Sequence, residues 1–408
     1  MRFDFFVLLL TLLSPLHGAD LVLRGATVYP APDAEPVRDA AVIIREGRIA
    51  HIGPITSTNI DPGATTLDCT GKFIVAGFWN CHVHILAPEL LQARERAAGD
   101  LNRQLDAMFN RWGFTHVFDL ASSLDNTLAL RARIESGELR GPRILTVGEP
   151  LWNRAPIYAV DFLAEHDIRI PEVHTPDEAV AAIAHLSGRS VDGIKLFTGS
   201  VQGRGKVENM APDFVRAAVA EAHRHDLPVF AHAQNAAGLE AAIEGGVDIV
   251  AHLTPQTEAW TPELVARLQR GHMALIPTLT LFEAETRKDG LPAAAIESLL
   301  AAMIEELRTF SDAGGEVLFG TDIGYIDHYD TTLEYQLMAR AGLDFPKILA
   351  ALTTAPAARF GEGSGAGRIV AGASADLVVL DADPSKETEA LARVSMTLRS
   401  GRVTYPAP

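Results

Sequence analysis

The stretch that decides the fold is Phe73-Ile-Val-Ala-Gly-Phe-Trp-Asn-Cys-His-Val-His84, a nearly continuous apolar run that ends in two histidines. A short apolar run of this kind is typical of a strand buried on both faces. Side chains two apart in a strand face the same side, so His82 and His84 should lie together while Val83 faces away. Two imidazoles on one side of a strand end favour a shared divalent metal.

A repeating pattern of apolar strand, turn and amphipathic helix extends through residues 71–364. The predicted strands are Phe73–His84, Thr115–Leu120, Arg143–Val147, Gly193–Phe197, Pro228–Ala233, Asp248–Leu253, Ala274–Leu279 and Glu316–Thr321. Helical patterns lie between them, for example at Leu91–Trp112, Pro176–Leu186, Pro212–His223, Pro262–Gln269 and Pro292–Phe310. Eight such repeats predict an α/β fold of the closed (β/α)8 TIM-barrel type. The alternative, a doubly wound open sheet, lacks a Gly-rich phosphate loop in this sequence.

The two ends of the chain have a different pattern. Residues 20–70 and 365–408 carry short alternating runs bounded by Gly, Pro and Asp, which indicate antiparallel strands. Neither end is long enough to bury a sheet alone. We therefore predict one small β-sandwich domain assembled from both termini.

Composition restricts the function classes. Of 408 residues, 48% are hydrophobic and 21% are charged, which indicates a globular chain with a large core. Thirty-five Lys and Arg against 52 Asp and Glu give a net charge of −17, which would repel nucleic acid. Two cysteines, Cys69 and Cys81, are too few for a disulfide framework, and we expect two buried thiols.

The first 19 residues resemble a secretory leader. Arg2 precedes the apolar run Phe5–Leu13, and small residues follow at Gly18 and Ala19. The run is too short to span a bilayer and matches the apolar region of a signal peptide. We therefore expect cleavage near Ala19, a periplasmic or secreted protein, and no membrane span in the mature chain. A buried N-terminal strand or helix is the alternative.

Single polar residues interrupt or end the later strands: Lys195, His232, His252 and Asp322. Barrel enzymes place their reactive groups at the carboxyl ends of the strands, so these residues should gather with His82 and His84. A lysine ammonium would repel a metal, but burial beside cations lowers a lysine pKa and lets the neutral amine add CO2. The resulting carbamate could bridge two metals. A salt bridge from Lys195 to Asp192 or to a neighbouring helix is the structural alternative.

These residues and their neighbours resemble the amidohydrolase superfamily. The resemblance rests on His82-Val-His84, Asp192-Gly-Ile-Lys195-Leu-Phe, Val229-Phe-Ala-His232-Ala, Gly246-Val-Asp-Ile-Val-Ala-His252, Pro277-Thr-Leu279, Phe319-Gly-Thr-Asp322 and a tail around Leu352–Leu380. The similarity extends from about Leu21 to Thr404, and within the superfamily the chain resembles the branch of bacterial dipeptidase and prolidase-like enzymes. Imidazolonepropionase-like members are also similar but usually lack the bridging lysine.

The resemblance implies a binuclear metal centre. His82, His84 and Asp322 would hold one ion, His232 and His252 the second, and carbamylated Lys195 would bridge them. Zinc is the expected metal, with manganese or cobalt also compatible. Many members carry an Asp two residues before the first histidine, where this chain has Asn80.

The implied activity is hydrolysis of a C–N amide bond, in dipeptides or N-acyl amino acids. A hydroxide between the metals would attack the carbonyl carbon, and Asp322 would act as general base and then acid. Cyclic amides or lactones are alternative substrates of the same site, and deamination is less favoured. A catalytically inactive scaffold is an alternative of another class.

Candidate substrate contacts lie in the loops after the strands. They are Trp152, Arg204, Lys206, Tyr325 and His328. Arg204 and Lys206 form a basic loop that could bind a substrate carboxylate, since guanidinium pairs with carboxylate through two hydrogen bonds. A solvated mobile loop is the alternative. The sequence leaves the oligomeric state open, a homo-oligomer included.

Overall fold

The computed structural model describes residues 20–165, 170–203, 205–255, 260–363 and 365–406. The predicted leader, residues 1–19, therefore lies outside the described residues, as does Arg204. In the ranges just given, no helix is both long enough and apolar enough to cross a lipid bilayer.

The strands in these ranges are β1 Leu21–Val28, β2 Val37–Arg45, β3 Arg48–Pro54, β4 Thr65–Asp68, β5 Phe73–Ala76, β6 Phe78–Val83, β7 Phe114–Asp119, β8 Arg143–Thr146, β9 Ile194–Leu196, β10 Gly199–Gly203, β11 Lys206–Asn209, β12 Val229–Ala231, β13 Ile249–Val250, β14 Ala274–Leu275, β15 Leu377–Leu380, β16 Val394–Arg399 and β17 Arg402–Tyr405. The helices are α1 Ala98–Met108, α2 Leu124–Glu135, α3 Ile157–Glu165, α4 Pro176–Ser187, α5 Pro212–His223, α6 Ala236–Gly245, α7 Pro262–Arg270, α8 Leu279–Lys288, α9 Ala293–Asp312, α10 Thr332–Arg340, α11 Phe345–Leu352 and α12 Thr354–Arg359.

Strands from both ends of the chain form one sheet. Its order is β17-β16-β15-β5-β1-β2-β3, with β4 paired to β1. One face buries a cluster that includes Leu23, Val42 and Leu377, and the other face is covered by Ile55 and Ile60. Among the described residues these strands make a single hydrogen-bonded sheet rather than two, so the sandwich arrangement stays a prediction. Cys69 packs in this sheet's core, and both it and Cys81 are free buried thiols, as expected.

The predicted first strand is divided between two sheets. Its first half, β5, pairs with β15 and β1 in the terminal sheet, whereas β6 pairs in parallel with β7. The change falls at Gly77, where a Cβ atom would lie 2.3 Å from the Thr115 hydroxyl oxygen. The terminal sheet therefore extends past residue 70 to Ala76. A continuous apolar run has no local signal for such a change of partner.

Parallel strands occur in two groups, of order β6-β7-β8 and β14-β13-β12-β9. The Asp192 amide just before β9 donates to the Thr146 carbonyl of β8 at 2.7 Å. On the other side, the predicted eighth strand lies between β14 and β6. The Leu275 amide donates to Glu316 at 2.9 Å, and the Cys81 amide donates to Phe319 at 2.7 Å. The backbone hydrogen bonds thus succeed one another in a closed ring.

Several predicted elements are shorter than expected. The strand predicted at Ala274–Leu279 stops at Leu275, and α8 begins at Leu279 because Thr278 adopts a left-handed φ of 47°. The eighth strand, predicted at Glu316–Thr321, is reduced to a bridge between Leu275 and Val317. The helix predicted from Leu91 starts only at Ala98. The other quoted helices match α4, α5, α7 and α9 within a few residues.

The space inside the parallel strands is filled by large apolar side chains. Trp79, Phe118 and Phe230 are fully buried there, and the ring of Phe360 packs against all three. This aromatic layer closes one end of the interior.

Candidate metal centre

Four of the predicted ligands meet at the carboxyl ends of the parallel strands. Nε2 of His84 lies 2.7 Å from Oδ1 of Asp322, and Nε2 of His82 lies 3.4 Å from the same oxygen. Nε2 of His252 is 3.9 Å from the other oxygen, Oδ2. One donor atom each from His82, His252 and Asp322 falls within 4.8 Å of the others. Four side chains from three distant segments thus point their donor atoms at one small volume.

The second nitrogen of two histidines is held by a partner that fixes the tautomer. Nδ1 of His84 lies 2.9 Å from the carbonyl oxygen of Ala121, which can only accept a hydrogen bond. Nδ1 of His252 lies 2.8 Å from the Thr278 hydroxyl, which already donates to the Pro277 carbonyl at 2.9 Å. Both Nδ1 atoms must therefore donate. In the neutral rings, the lone pair is then on Nε2, the atom that faces Asp322.

The remaining donors fit a cation. Both ring nitrogens of His82 are buried without a hydrogen-bond partner, and Oδ1 of Asp322 makes no hydrogen bond although it lies 2.7 Å from Nε2 of His84. Buried polar atoms without partners are costly unless another group satisfies them. Imidazole nitrogens with a carboxylate are the donor set that zinc prefers. The residues present therefore fit a divalent metal.

Burial dominates the electrostatics of the histidines. It lowers the pKa of His82 and His252 well below the ordinary value, and the nearby positive groups lower both further. For His84, burial is the largest single effect and also acts to lower the pKa, but the negative charges of Asp322 and Asp119 and the Ala121 carbonyl together outweigh it, so the pKa is raised. Neutral imidazoles are the form that binds metals.

Lys195 stands in the middle of β9 with 1% of its surface exposed. Its Nζ lies 5.7 Å from the centre of the Phe197 ring. Burial lowers the lysine pKa to about 7, against a smaller opposing effect of Asp322. The alternative of a salt bridge to Asp192 is wrong, since the Asp192 carboxylate pairs with Arg131 at 2.6 Å. Lys195 is therefore a buried amine, largely uncompensated, beside the histidines.

His232 completes the group from the end of β12. Its ring stacks on Phe197 at 4.8 Å and meets the His252 ring edge-on at the same distance. Nε2 lies 3.2 Å from the Gln234 amide oxygen, and burial, with a contribution from Lys195, lowers its pKa to about 3. All six predicted residues are thus neighbours in the structure.

A tight turn brings Asp322 to the histidines. Its amide donates to the His82 carbonyl at 2.8 Å, and Asp322 adopts a left-handed φ of 63°. Gly324, two residues on, has a φ of 96°, and a Cβ atom there would lie 1.9 Å from the His84 carbonyl oxygen. Strained backbone of this kind often marks a functional site.

Sequence reasoning missed two polar residues that support the ligands. Thr278 is the partner of His252, as described above. Asp119, at the end of β7, is fully buried and accepts hydrogen bonds from Ser122, Thr127 and Thr146. These bonds hold the turn whose Ala121 carbonyl binds His84. Asp119 lies one residue before the end of the predicted strand Thr115–Leu120, so an acidic residue near a strand end was the available signal.

Asn80 lies in β6, two residues before His82. Its amide nitrogen donates to the Thr321 hydroxyl at 2.7 Å, and its amide oxygen accepts from the His82 backbone N–H at 3.3 Å. An uncharged side chain therefore links β6 to the segment that carries Asp322.

The predicted substrate contacts are spread more widely. Lys206 is exposed at the start of β11, in a hairpin with β10 that follows β9 directly, and Arg204 lies outside the described residues. Trp152 is buried, and its ring packs against Phe197 at 5.5 Å, behind His232. Tyr325 is half-buried beside Tyr158, whereas His328 is exposed. The structure therefore gathers Trp152 and Tyr325 near the centre, with Lys206 on a neighbouring hairpin.

Comparison with known proteins agrees with this geometry. The model of the Amidohydrolase family matches residues 73–404. A crystal structure from Bifidobacterium longum, assigned as a prolidase, superimposes with a TM-score of 0.79 at 26% identity and covers 96% of both chains. Ochratoxinase from Aspergillus niger is 25% identical over 400 residues, which is 87% of this chain and 80% of that protein.

A shorter match has higher identity. Imidazolonepropionase from Rhizobium rhizogenes is 40% identical over 74 residues, which is 17% of this chain. The chain therefore spans under a fifth of that relative, 18% of its length. Because the family model matches residues 73–404, which is most of the chain, this chain belongs to the Amidohydrolase family.

Proposed function

We propose that this protein is a metal-dependent hydrolase that cleaves the C–N amide bond of dipeptides or N-acyl amino acids. Its scaffold is a (β/α)8 barrel beside a β-sandwich from both termini. The observation that carries the proposal is the convergence of His82, His84, His252 and Asp322, with the buried nitrogens of His82 lacking any partner among the described residues. The closed ring of backbone hydrogen bonds supports the barrel.

Two divalent ions, zinc being the metal that this donor set prefers, would be held by these four residues with His232 and Lys195. Bound there, they would supply an activated water at neutral pH and polarise the substrate carbonyl. Lys195 supports the second ion because its pKa of about 7 leaves much of the amine neutral. The neutral amine adds to CO2 with formation of an N–C bond and loss of one proton. The product is an anion that suits a position between cations.

Asp322 is the residue that holds and moves the proton. One carboxylate oxygen lies near His84 and His82 and the other near His252, so one oxygen can bind while the other accepts a proton. The same oxygen can then deliver that proton to the leaving nitrogen. The fixed tautomers of His84 and His252 keep their Nε2 lone pairs directed at the centre.

The substrate class follows from the loops. The β10–β11 hairpin begins three residues after Leu196 and carries Lys206, with Arg204 between its strands. Both residues are cations in a chain of net charge −17, which favours binding of a substrate carboxylate. The relatives named prolidase and ochratoxinase support an amide substrate.

The test is a substrate panel with and without metal. Dipeptides, including Xaa-Pro, should be cleaved along with N-acyl amino acids, and their C-terminally amidated forms should be much poorer substrates. Strong chelation should abolish turnover, and zinc, manganese or cobalt should restore it. Full activity in metal-free protein would overturn the proposal. Dominant turnover of lactones or cyclic amides would overturn the substrate class, and lack of both metal and activity would favour an inactive scaffold.

We also propose that the chain is exported. The support is the apolar run Phe5–Leu13 after Arg2. N-terminal sequencing of the protein from its native host should begin near Ala19 or Asp20, and fractionation should find it outside the cytoplasm. Recovery of Met1 on the native protein would contradict export by this route.

A further inference from the structure

Helix α8 presents two residues towards the same side of the centre. The Phe282 ring meets the His252 ring edge-on, with centroids 6.1 Å apart. Glu285 lies three residues further along, so it shares this helix face. Its side chain is 34% exposed. A carboxylate thus stands on the face of α8 whose Phe282 contacts His252.

Two tyrosines adjoin this carboxylate. Tyr325 follows Asp322 by one turn, with its amide donating to the Asp322 carbonyl at 3.2 Å, and it is close enough to Glu285 for that carboxylate to raise the pKa of its hydroxyl, after the larger effect of burial. The ring of Tyr158, from α3, meets the Tyr325 ring at 5.5 Å and an interplanar angle of 60°. Tyr158 is 39% exposed, so this corner is open to solvent.

The positive partner of this corner is distant and solvated. Nζ of Lys288 lies 4.0 Å from Oε1 of Glu285, and the lysine side chain is 78% exposed. Such an ion pair contributes little. Burial raises the pKa of the Glu285 carboxyl, which means that its charge is poorly compensated. Aromatic faces carry negative potential, so two rings and a carboxylate together attract a cation.

We propose that Tyr158, Tyr325 and Glu285 form a subsite for an ammonium group of the substrate, close to the scissile bond. The inference rests on the proposed function and narrows it: dipeptides with a free amine should be preferred over N-acyl amino acids. The ammonium could be the α-amine or the side-chain amine of the first residue. An apolar acyl group fits less well, because it would desolvate the Glu285 carboxylate without a compensating contact.

Matched substrates test the preference. The wild type should cleave Leu-Phe with a kcat/KM at least about tenfold above N-acetyl-Leu-Phe, the range expected for one cation contact with aromatic rings. N-acetyl-Lys-Phe separates the two sources, since activity restored by this compound would assign the side-chain amine. Glu285→Gln should remove the preference, while Glu283→Gln, on the same helix but paired with Arg287, should retain it. Equal rates for Leu-Phe, N-acetyl-Leu-Phe and N-acetyl-Lys-Phe in the wild type would overturn the inference.

A binding measurement separates this inference from the proposed function. Calorimetry with n-butylammonium and with n-butanol, on the metal-free protein, requires no hydrolysis. The wild type should bind the ammonium at least about tenfold more tightly than the alcohol. Glu285→Gln should lose the difference, and Tyr158→Leu, at an exposed position, should reduce it. Ammonium binding without amide hydrolysis would leave the subsite intact and refute the function. Equal binding of both probes would refute the subsite.

Discussion

The hydroxyl oxygen of Thr278 lies 2.8 Å from Nδ1 of His252, and the same hydroxyl donates its one hydrogen to the Pro277 carbonyl. The hydroxyl can therefore only accept from His252, which leaves the lone pair of His252 on Nε2. Thr278 is fully buried and holds a left-handed φ of 47°, which is unfavourable for a β-branched residue. Strained backbone of this kind is typical of residues whose position serves a functional site.

Thr278→Val keeps the shape of the side chain and removes the hydroxyl. Nδ1 of His252 then loses its acceptor, and the ring is free to adopt the other tautomer. We expect metal affinity to fall by about 10- to 100-fold, the usual effect of removing such a partner. Competition with a chelator measures this, and Thr278→Ser, which keeps the hydroxyl, is the control. Equal affinity of the Val variant and the wild type would contradict the tautomer argument.

Lys195→Ala removes the amine that we propose to carry a carbamate. Metal content should fall, and turnover should fall by about a thousandfold or more, because a metal supplies several kcal/mol of transition-state stabilisation. Short carboxylic acids should restore part of both. Lys195→Arg, which fills the space, should not respond to them. In the wild type, 13CO2 should give a carbamate carbon signal, and a metal-loaded structure with an unmodified ammonium would refute the assignment.

Glu334 gives a test by pH. Its carboxylate is fully buried in α10 and accepts from the backbone N–H groups of Leu279 and Thr280 at the start of α8. Burial raises its pKa from 4.5 to about 7, although these bonds oppose the shift. Between those values the folded protein binds more protons than the unfolded chain. The contribution of this group to stability is therefore complete below pH 4.5 and is lost as the pH rises through 7.

The difference amounts to about 3 kcal/mol for a shift of this size. Glu334→Gln removes the titrating group. As the pH rises from 4.5 to 8, the wild type should therefore lose up to about 3 kcal/mol in its free energy of unfolding relative to this variant. Denaturant titrations at several pH values, on metal-free protein, give both curves. Parallel curves would show that Glu334 has an ordinary pKa.

Gly324→Ala should damage both fold and site. The added Cβ would lie 1.9 Å from the His84 carbonyl, so the turn that carries Asp322 must move. We expect a loss of at least about 3 kcal/mol in the free energy of unfolding, together with loss of metal. Gly342→Ala is the matched control, because its φ of 90° is similar but no atom lies within 4 Å of the added Cβ.

That control should cost only about 1–2 kcal/mol, the price of a left-handed conformation. It should also retain metal. Thermal unfolding and metal analysis of both variants separate the effect of the clash with His84 from the effect of the left-handed conformation. Similar effects at the two glycines would mean that the contact with His84 is relieved by small shifts.

The centre could be predicted from sequence because each ligand interrupts or ends an apolar strand. A buried charged or imidazole group stands out against such a background, as Lys195 and His252 do. Thr278 could not be found in this way, since a threonine in an apolar segment is unremarkable and its role depends on a φ angle. Asp119 was overlooked for a similar reason, because its partners come from three segments.

The subdivision of the strands was harder to predict. Phe73–His84 has one hydrophobic pattern, yet its two halves pair in different sheets. Pairing partners depend on tertiary packing, which alternation along one strand does not encode. Contacts between loops were equally hard to predict. The sequence identified Tyr325, but its contact with Tyr158, more than 160 residues away in the chain, depends on the fold.

The junction at Gly77 sets a rule for anyone who transplants this scaffold. Only Gly77 separates β5 from β6, so one continuous extended segment contributes a strand to each of the two sheets. A cut near residue 71, where the sequence texture changes, would carry β5 away with the parallel strands. The donor sheet would then lose its middle member, between β15 and β1, and a graft or chimaera should instead be spliced at Gly77.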